Sequence, residues 1–255
     1  MFERFAKYYD LIYKSVMNYE KECNALEKIF ANFSGSQVQS ILDVACGTGS
    51  HALVLSKRGY RVIGIDVSKS MIRKAKKKAE KGGIEAAFFV QDMRKIELDR
   101  KFDCAICMFG GFGFIPVYED LVGLFSGLKQ HLNKDGLFVF QFWNIGGIKP
   151  SPYRTRLKAQ DGNTTVYRLS ETNFDSQTNI INLEMNFVVT SKDKLVETFS
   201  ELYRIRCYTS AELRQYLGDN GFTLLSAYDW DMENKTELAK PRRENFGILA
   251  VARKC

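Results

Sequence analysis

Three aspartates lie near the ends of short apolar runs, at points where a β-strand would end. Asp43 lies one residue before the end of the first run, Asp66 directly follows the second, and Asp92 lies two residues beyond the third. Turn chemistry does not require an acid at each of these places. Because the carboxyl ends of parallel strands meet at one edge of a sheet, the three carboxylates are predicted to converge there. Asp66 could accept hydrogen bonds from the hydroxyl groups of a ribose, and Asp92 could accept them from the amino group of an adenine.

The first aspartate leads into a glycine-rich segment, Asp43-Val44-Ala45-Cys46-Gly47-Thr48-Gly49. Its glycines permit a tight turn and a close approach of the backbone to a flat ligand. Together with Ala52 they also satisfy the G-x-G-x-x-A fingerprint of dinucleotide sites, so an NAD-type oxidoreductase is the alternative interpretation. Asp43 would repel a pyrophosphate and attract a cation. A positively charged adenosyl ligand without phosphates therefore fits these residues better.

Strand-like and helix-like segments alternate through most of the chain, which predicts an α/β fold with a doubly wound, mostly parallel seven-stranded sheet. Five nearly continuous apolar runs predict strands buried on both faces, and two later runs complete the sheet: Ser40–Val44, Arg61–Ile65, Ala86–Val90, Phe102–Met108, Leu137–Phe142, Phe222–Tyr228 and Phe246–Ala252. Apolar stripes at helical spacing predict the intervening helices, of which the clearest are His51–Arg58, Ser70–Lys81 and Val117–Leu132.

Two regions fall outside this alternation. Residues 1–38 predict an N-terminal helical segment, and residues 39–148 and 208–255 form the predicted α/β domain. Residues 149–207 instead alternate apolar and polar side chains, as in Ile181–Thr190, which is typical of half-exposed antiparallel strands. We expect an inserted antiparallel β-sheet whose apolar face covers the active site, a dimer partner, or both.

The positive charge of the chain raises the alternative of a nucleic-acid substrate. The net charge is +7, and much of it lies between Lys69 and Lys81. In that segment an apolar stripe at helical spacing leaves the basic residues on the outer face of a helix. A solvated helix face is favoured over an RNA-binding surface. An RNA substrate stays the alternative interpretation of this feature.

The cysteines and the first residues bear on the cellular compartment. Cys104 and Cys107 have C-x-x-C spacing, but they lie in a predicted strand, where residues three apart face opposite sides. Two buried structural thiols are expected, and with only two histidines in the chain no metal site is predicted. There is no signal-peptide pattern and no apolar run of membrane length. A cytoplasmic protein without membrane contact is expected.

Four motifs resemble those of class I S-adenosylmethionine-dependent methyltransferases, namely residues 43–49, Gly64-Ile65-Asp66, Gln91-Asp92-Met93-Arg94 and residues 102–109. The opening, Tyr8 to Tyr13 with Asn18-Tyr19-Glu20, is similar to that of small-molecule methyltransferases that include sugar N,N-dimethyltransferases. Those enzymes also carry an antiparallel insertion after the fifth strand. They usually have a polar residue soon after the fourth-strand motif, whereas residues 110–115 here contain no His or acid.

The resemblance implies that S-adenosylmethionine is the cofactor and that a small molecule, with an amine as one candidate, accepts the methyl group. It places Tyr13 at the reactive end in a positioning role, and a homodimer through the insertion is a further expectation. Because methyl transfer is an in-line displacement, alignment and exclusion of water matter more than an acid–base pair. The residues predicted to bind the cofactor are Tyr13, Tyr19, Asp43, Ala45, Cys46, Gly47, Gly49, His51, Asp66, Val67, Met71, Gln91, Asp92, Met93, Met108 and Phe109.

Overall fold

The computed structural model describes residues 2–14, 16–230 and 238–255. Within these residues the helices are α1 (Ala6–Tyr13), α2 (Tyr19–Phe33), α3 (Ser50–Lys57), α4 (Lys69–Gly82), α5 (Tyr118–His131) and α6 (Ser210–Asp219). The strands are β1 (Ser40–Val44), β2 (Arg61–Asp66), β3 (Ala86–Val90), β4 (Phe102–Cys107), β5 (Leu132–Trp143), β6 (Tyr153–Asp161), β7 (Thr164–Asp175), β8 (Ile180–Ser191), β9 (Lys194–Arg206), β10 (Phe222–Asp229) and β11 (Gly247–Lys254).

The main sheet has the order β10-β11-β5-β4-β1-β2-β3. Strands β1 to β5 run parallel to one another. Strand β11 pairs antiparallel with both β5 and β10. The strand order reverses between β1 and β4, which is the switch point where open α/β sheets bind ligands. The predicted fold class, a doubly wound and mostly parallel seven-stranded sheet, is confirmed.

Strand β5 begins at Leu132, five residues before the predicted strand Leu137–Phe142. Residues 133–136, whose composition of Asn, Lys, Asp and Gly is typical of a turn, form a bulge here, because Phe102 pairs with Leu132 and Cys104 already pairs with Leu137. Asp135 in this bulge takes a positive φ of 61°. Turn-forming residues therefore bend the strand here without ending it.

Cys104 and Cys107 lie on opposite faces of β4, as their spacing predicts. Both are fully buried, and each packs in a different apolar cluster, one on each side of the sheet. Burial raises the pKa of both thiols. They are structural thiols of the core.

The inserted sheet has four strands in the order β6-β7-β8-β9, all antiparallel. Strand β6 is absent from the sequence prediction, although Thr155, Leu157 and Ala159 alternate there with charged residues. Its weaker signal has a physical reason, because most of its side chains are exposed or only half-buried. The insertion therefore presents one inward face built from all four strands.

Helix α1 packs against the inward face of this sheet. Phe5, Tyr8 and Ile12 form one buried cluster with insertion residues that include Phe187 and Phe199. The N-terminal helix and the insertion, which lie far apart in sequence, thus share a core. Among the described helices none is both long and apolar enough to cross a membrane.

Candidate active site

A cavity of about 450 Å³ opens at the carboxyl edge of the main sheet. Its walls are the glycine-rich loop after β1, the aromatic face of α1 and the inward face of the insertion. This volume lies within the range of small-molecule binding sites. Predicted cofactor residues form part of its lining, namely Tyr13, Tyr19, Asp43, Ala45, Cys46, Gly47, His51, Asp66, Met71, Met108 and Phe109.

The glycine-rich loop turns in left-handed backbone conformations. Ala45 has φ 55°, Gly47 has φ 54° and Gly49 has φ 75°. A Cβ added at Gly47 would point into open space, whereas one at Gly49 would come within 2.7 Å of the Phe88 ring. Gly47 therefore leaves bare backbone toward the cavity, and Gly49 permits close packing of the helix that follows.

Asp66, at the end of β2, is held against this loop by two backbone hydrogen bonds. Gly47 N–H donates to Oδ2 at 2.9 Å, and Ser68 N–H donates to Oδ1 at 2.8 Å. Burial raises the pKa of the Asp66 carboxyl, while the two hydrogen bonds oppose that rise. Each carboxylate oxygen keeps a further lone pair that can accept a ligand hydroxyl.

Asp43, near the end of β1, is a buried carboxyl group with an unpaired oxygen. It is only 2% exposed, and its Oδ2 has no hydrogen-bond partner among the described residues. Burial raises the pKa of Asp43 to about 7, with a further rise from Asp66 and an opposing effect from His51. A buried carboxylate with one unpaired oxygen fits a cationic ligand group, because such a group would supply the missing counter-charge.

His51, in the first turn of α3, is tied to α2. Its Nε2 lies 2.8 Å from Glu22 Oε2, and both side chains are buried. The Tyr19 ring packs edge-on against the His51 ring, with the centroids 5.0 Å apart. These contacts fix the outer wall of the cavity beside the loop and occupy Nε2 of the imidazole.

Tyr13 lies between the main sheet and the insertion. Arg168 Nη1 donates a hydrogen bond of 3.1 Å to Tyr13 Oη, and the guanidinium also lies over the ring. Tyr13 also packs against the nearly perpendicular ring of Phe109, with the ring centroids 4.9 Å apart. Phe109 itself has φ 56°, a strained backbone conformation that side chains rarely adopt and that often occurs at functional sites.

Five predicted cofactor residues are not part of the described cavity lining: Gly49, Val67, Gln91, Asp92 and Met93. Asp92 faces Arg94, whose Nη2 lies 2.6 Å from Asp92 Oδ2, and Arg94 also pairs with Asp120. The hydrogen bonds from Arg94 hold the pKa of Asp92 below its ordinary value. Two of the three predicted carboxylates thus meet in one cavity. The adenine contact of Asp92 stays a prediction.

The sequence interpretation missed the contact that joins α1 to the glycine-rich loop. Asp10 Oδ1 accepts hydrogen bonds from Thr48 Oγ1 at 2.6 Å and from Lys78 Nζ at 3.1 Å. Lys78 also donates to Thr48 and Ser50. The basic residues of α4 were predicted to lie on a solvated helix face. That prediction is wrong for Lys78, which is half-buried because it reaches across to the neighbouring elements.

Comparison with known proteins defines the class of the chain. Residues 41–136 match the family model of a methyltransferase domain. A crystal structure of an S-adenosylmethionine-dependent methyltransferase from Clostridium acetobutylicum has the same fold, with a TM-score of 0.82, 21% identity and 98% of each chain covered. Residues 41–136 thus form a methyltransferase domain, the chain as a whole is similar to class I S-adenosylmethionine-dependent methyltransferases, and S-adenosylmethionine is the cofactor. The NAD-type interpretation is not supported.

Two curated relatives are methyltransferases of amino sugars. One is the dTDP-3-amino-3,4,6-trideoxy-alpha-D-glucopyranose N,N-dimethyltransferase of Streptomyces venezuelae, to which the chain is 28% identical over 176 residues. The aligned region covers 69% of this chain and 72% of that enzyme. The chain is 27% identical over 205 residues to the dTDP-3-amino-3,6-dideoxy-alpha-D-glucopyranose N,N-dimethyltransferase of Streptomyces fradiae, with 80% and 78% covered. The similarity extends over most of the chain, beyond the cofactor-binding motifs.

Proposed function

We propose that the enzyme methylates the amino nitrogen of a small, sugar-like molecule. The observation that carries this proposal is the single cavity that Asp43 and Asp66 share with the inward face of the insertion. The cofactor would lie along the glycine-rich loop and the acceptor would lie between Tyr13 and the insertion. The names of the amino-sugar relatives support the same class of acceptor.

In the cofactor half of the cavity, Asp43 and Asp66 each have a different proposed role. Asp66 would accept the ribose hydroxyls, since two backbone N–H groups already fix its orientation. Asp43 would face the positively charged methionine end, where its unpaired Oδ2 needs a cation. When bound, S-adenosylmethionine supplies a methyl group on a cationic sulfur, which is transferred by in-line displacement.

The acceptor half of the cavity favours an amine because the described residues that line it offer no base. A hydroxyl nucleophile needs a group that removes its proton, whereas an amine that arrives neutral already has a free lone pair. Among the described lining residues, the groups able to take a proton are His51, Asp43 and Asp66, all on the cofactor side. The insertion contributes Arg168 together with hydroxyl and apolar side chains.

Tyr13 would orient the acceptor by hydrogen bonding. Burial raises the pKa of the Tyr13 hydroxyl, although Arg168 opposes that rise, so the hydroxyl stays protonated at neutral pH. Because Arg168 donates to Tyr13 Oη, the phenolic O–H remains available as a donor. Tyr13 is therefore proposed as a positioning residue.

The test is a screen of amino sugars and other small amines with S-adenosylmethionine, in which mass spectrometry detects a methyl increment. Each amine is paired with its hydroxyl counterpart, and only the amines are expected to react. Tyr13→Phe should lower kcat about tenfold, which corresponds to loss of one hydrogen bond, without changing cofactor affinity. The matched control is Tyr167→Phe, at an exposed position of the insertion. Transfer to hydroxyl analogues alone, or an undiminished Tyr13→Phe enzyme, would contradict the proposal.

A further inference from the structure

The inward face of the insertion carries a polar patch within apolar surroundings. Arg168 and Ser170 lie two residues apart on β7 and therefore point to the same face. Thr155 on β6 pairs with Ser170, and Leu157 pairs with Arg168. On the other side, Met185 and Phe187 of β8 pair with Ser170 and Arg168. The guanidinium of Arg168 and the hydroxyl groups of Ser170 and Thr155 thus lie side by side on a sheet face that is otherwise apolar.

Two atoms of this polar patch lack partners. Arg168 Nε and Ser170 Oγ are buried, and neither has a hydrogen-bond partner in the described part of the chain. Ser170 is only 7% exposed. Buried polar groups in native proteins are nearly always paired, and unpaired ones call for a ligand or another explanation. Both residues line the cavity, so a bound molecule can reach them.

The charge distribution in the cavity indicates the sign of that molecule's group. Arg168 is the only Lys or Arg among the described lining residues. The carboxyl groups of the same lining are Asp43 and Asp66, which belong to the strand ends of the main sheet. The hydrogen bond from Arg168 to Tyr13 uses one Nη1 proton, so the other N–H groups of the guanidinium can donate to a ligand. A guanidinium fork matches the planar, two-oxygen geometry of an oxyanion.

We propose that Arg168, with Ser170, binds an oxyanion carried by the acceptor, either a carboxylate or a phosphoryl group. This inference rests on the proposed function, because it concerns the acceptor half of the same cavity. The substrate class becomes an amine that bears an anionic group, and the anion fixes the acceptor beside Tyr13. A simple cationic amine would instead be repelled by Arg168.

The test uses small aromatic probes that differ in charge. Phenylacetate and phenyl phosphate are the anionic probes, phenylacetamide is neutral, and phenethylamine is cationic. Each is titrated into the enzyme loaded with S-adenosylhomocysteine while tryptophan fluorescence is recorded. The chain's two tryptophans, Trp143 and Trp230, both line the cavity and report binding. The anionic probes should bind at least tenfold more tightly than the other two, and comparison of the two anions distinguishes carboxylate from phosphoryl recognition.

Variants assign this preference to Arg168. Arg168→Met should bind the four probes equally, and Arg168→Lys should keep part of the preference because it retains the charge. Arg154→Met is the matched control, since Arg154 lies on β6, is 71% exposed and pairs with Glu171. S-adenosylhomocysteine binding by each variant confirms that it is folded.

Several results would overturn the inference. They are equal binding of the four probes by the wild type, no binding of either anion at millimolar concentration, or an unchanged preference in Arg168→Met. If the folded wild type failed to bind S-adenosylhomocysteine, the proposed function itself would fall instead. The two failures are therefore distinguishable.

Discussion

Asp43 illustrates how burial at a single residue prepares a site for a cation. Its carboxyl group has one unpaired oxygen, and burial raises its pKa to about 7. A raised pKa means that ionisation of Asp43 opposes folding, so stability without cofactor falls as the pH rises through about 7. A bound cation lowers the pKa again. Cofactor binding is therefore coupled to loss of a proton.

This coupling gives a prediction at residue scale. Near pH 7, binding of S-adenosylmethionine should release roughly half a proton from Asp43, because the group is half protonated at its pKa. Calorimetry in buffers with different ionisation enthalpies measures the release. Asp43→Asn should abolish that part of the release, weaken cofactor binding, and stabilise the cofactor-free protein at pH 8. Equal proton release by Asp43→Asn and the wild type would show that Asp43 does not titrate on binding.

Only some of the individual site residues could be placed from the sequence. The convergence of Asp43 and Asp66 follows from parallel strands that end at one edge. Arg168 left a signal that the sequence interpretation did not use, since it occupies an inward position between Val166 and Ser170 on an alternating strand. An arginine on the apolar side of such a strand is an exception that indicates a function. The partner of Asp92, in contrast, is set by Arg94 and Asp120, whose approach depends on tertiary packing.

At the scale of elements, α1 is held to the cofactor loop by a charged network. Asp10 of α1 binds Thr48 of the loop and Lys78 of α4. On the other side, Lys7 donates to Glu197 of β9 at 3.1 Å, and Tyr8 donates to the same carboxylate. Helix α1 thus connects the loop to the insertion, which supports the prediction that the insertion covers the active site.

The network around Lys78 gives a prediction at this scale. Lys78→Met should raise the Kd for S-adenosylmethionine several-fold and lower the free energy of unfolding by about 1 kcal/mol, because Asp10, Thr48 and Ser50 lose a shared donor. Calorimetry and thermal unfolding measure these effects. Lys76→Met, at an exposed position of the same helix, should change neither quantity. If both variants behaved alike, Lys78 would be an ordinary surface lysine.

Element boundaries were predicted best where packing follows local pattern. The capping box of Thr209 and Glu212 starts α6, and its T-x-x-E spacing is a local pattern visible in the sequence. The apolar stripe of α4 is buried as predicted. Strand β6 and the bulge in β5 were missed because their form depends on neighbouring strands. Register and sheet edges are set by tertiary pairing more than by the residues themselves.

For the molecule as a whole, the cavity combines three parts that are distant in sequence. The strand ends of the main sheet, the N-terminal helix and the insertion each contribute a wall. The sequence predicted the sheet and the existence of the insertion. It did not predict the shared core of α1 with β6 to β9, because that core needs long-range packing. The outer side of the insertion exposes apolar residues such as Leu169 and Leu202, and a homodimer through the insertion stays a prediction.

The central claim is that carboxyl groups at neighbouring strand ends hold a cationic adenosyl cofactor. Calorimetric titration of the wild type with S-adenosylmethionine tests it most directly. We predict micromolar binding, and Asp66→Ala should weaken it about 10- to 100-fold, since hydrogen bonds to a charged group are lost. Asp99→Ala, at a fully exposed carboxylate, should bind like the wild type. No heat from folded wild type, or undiminished binding by Asp66→Ala, would contradict the account.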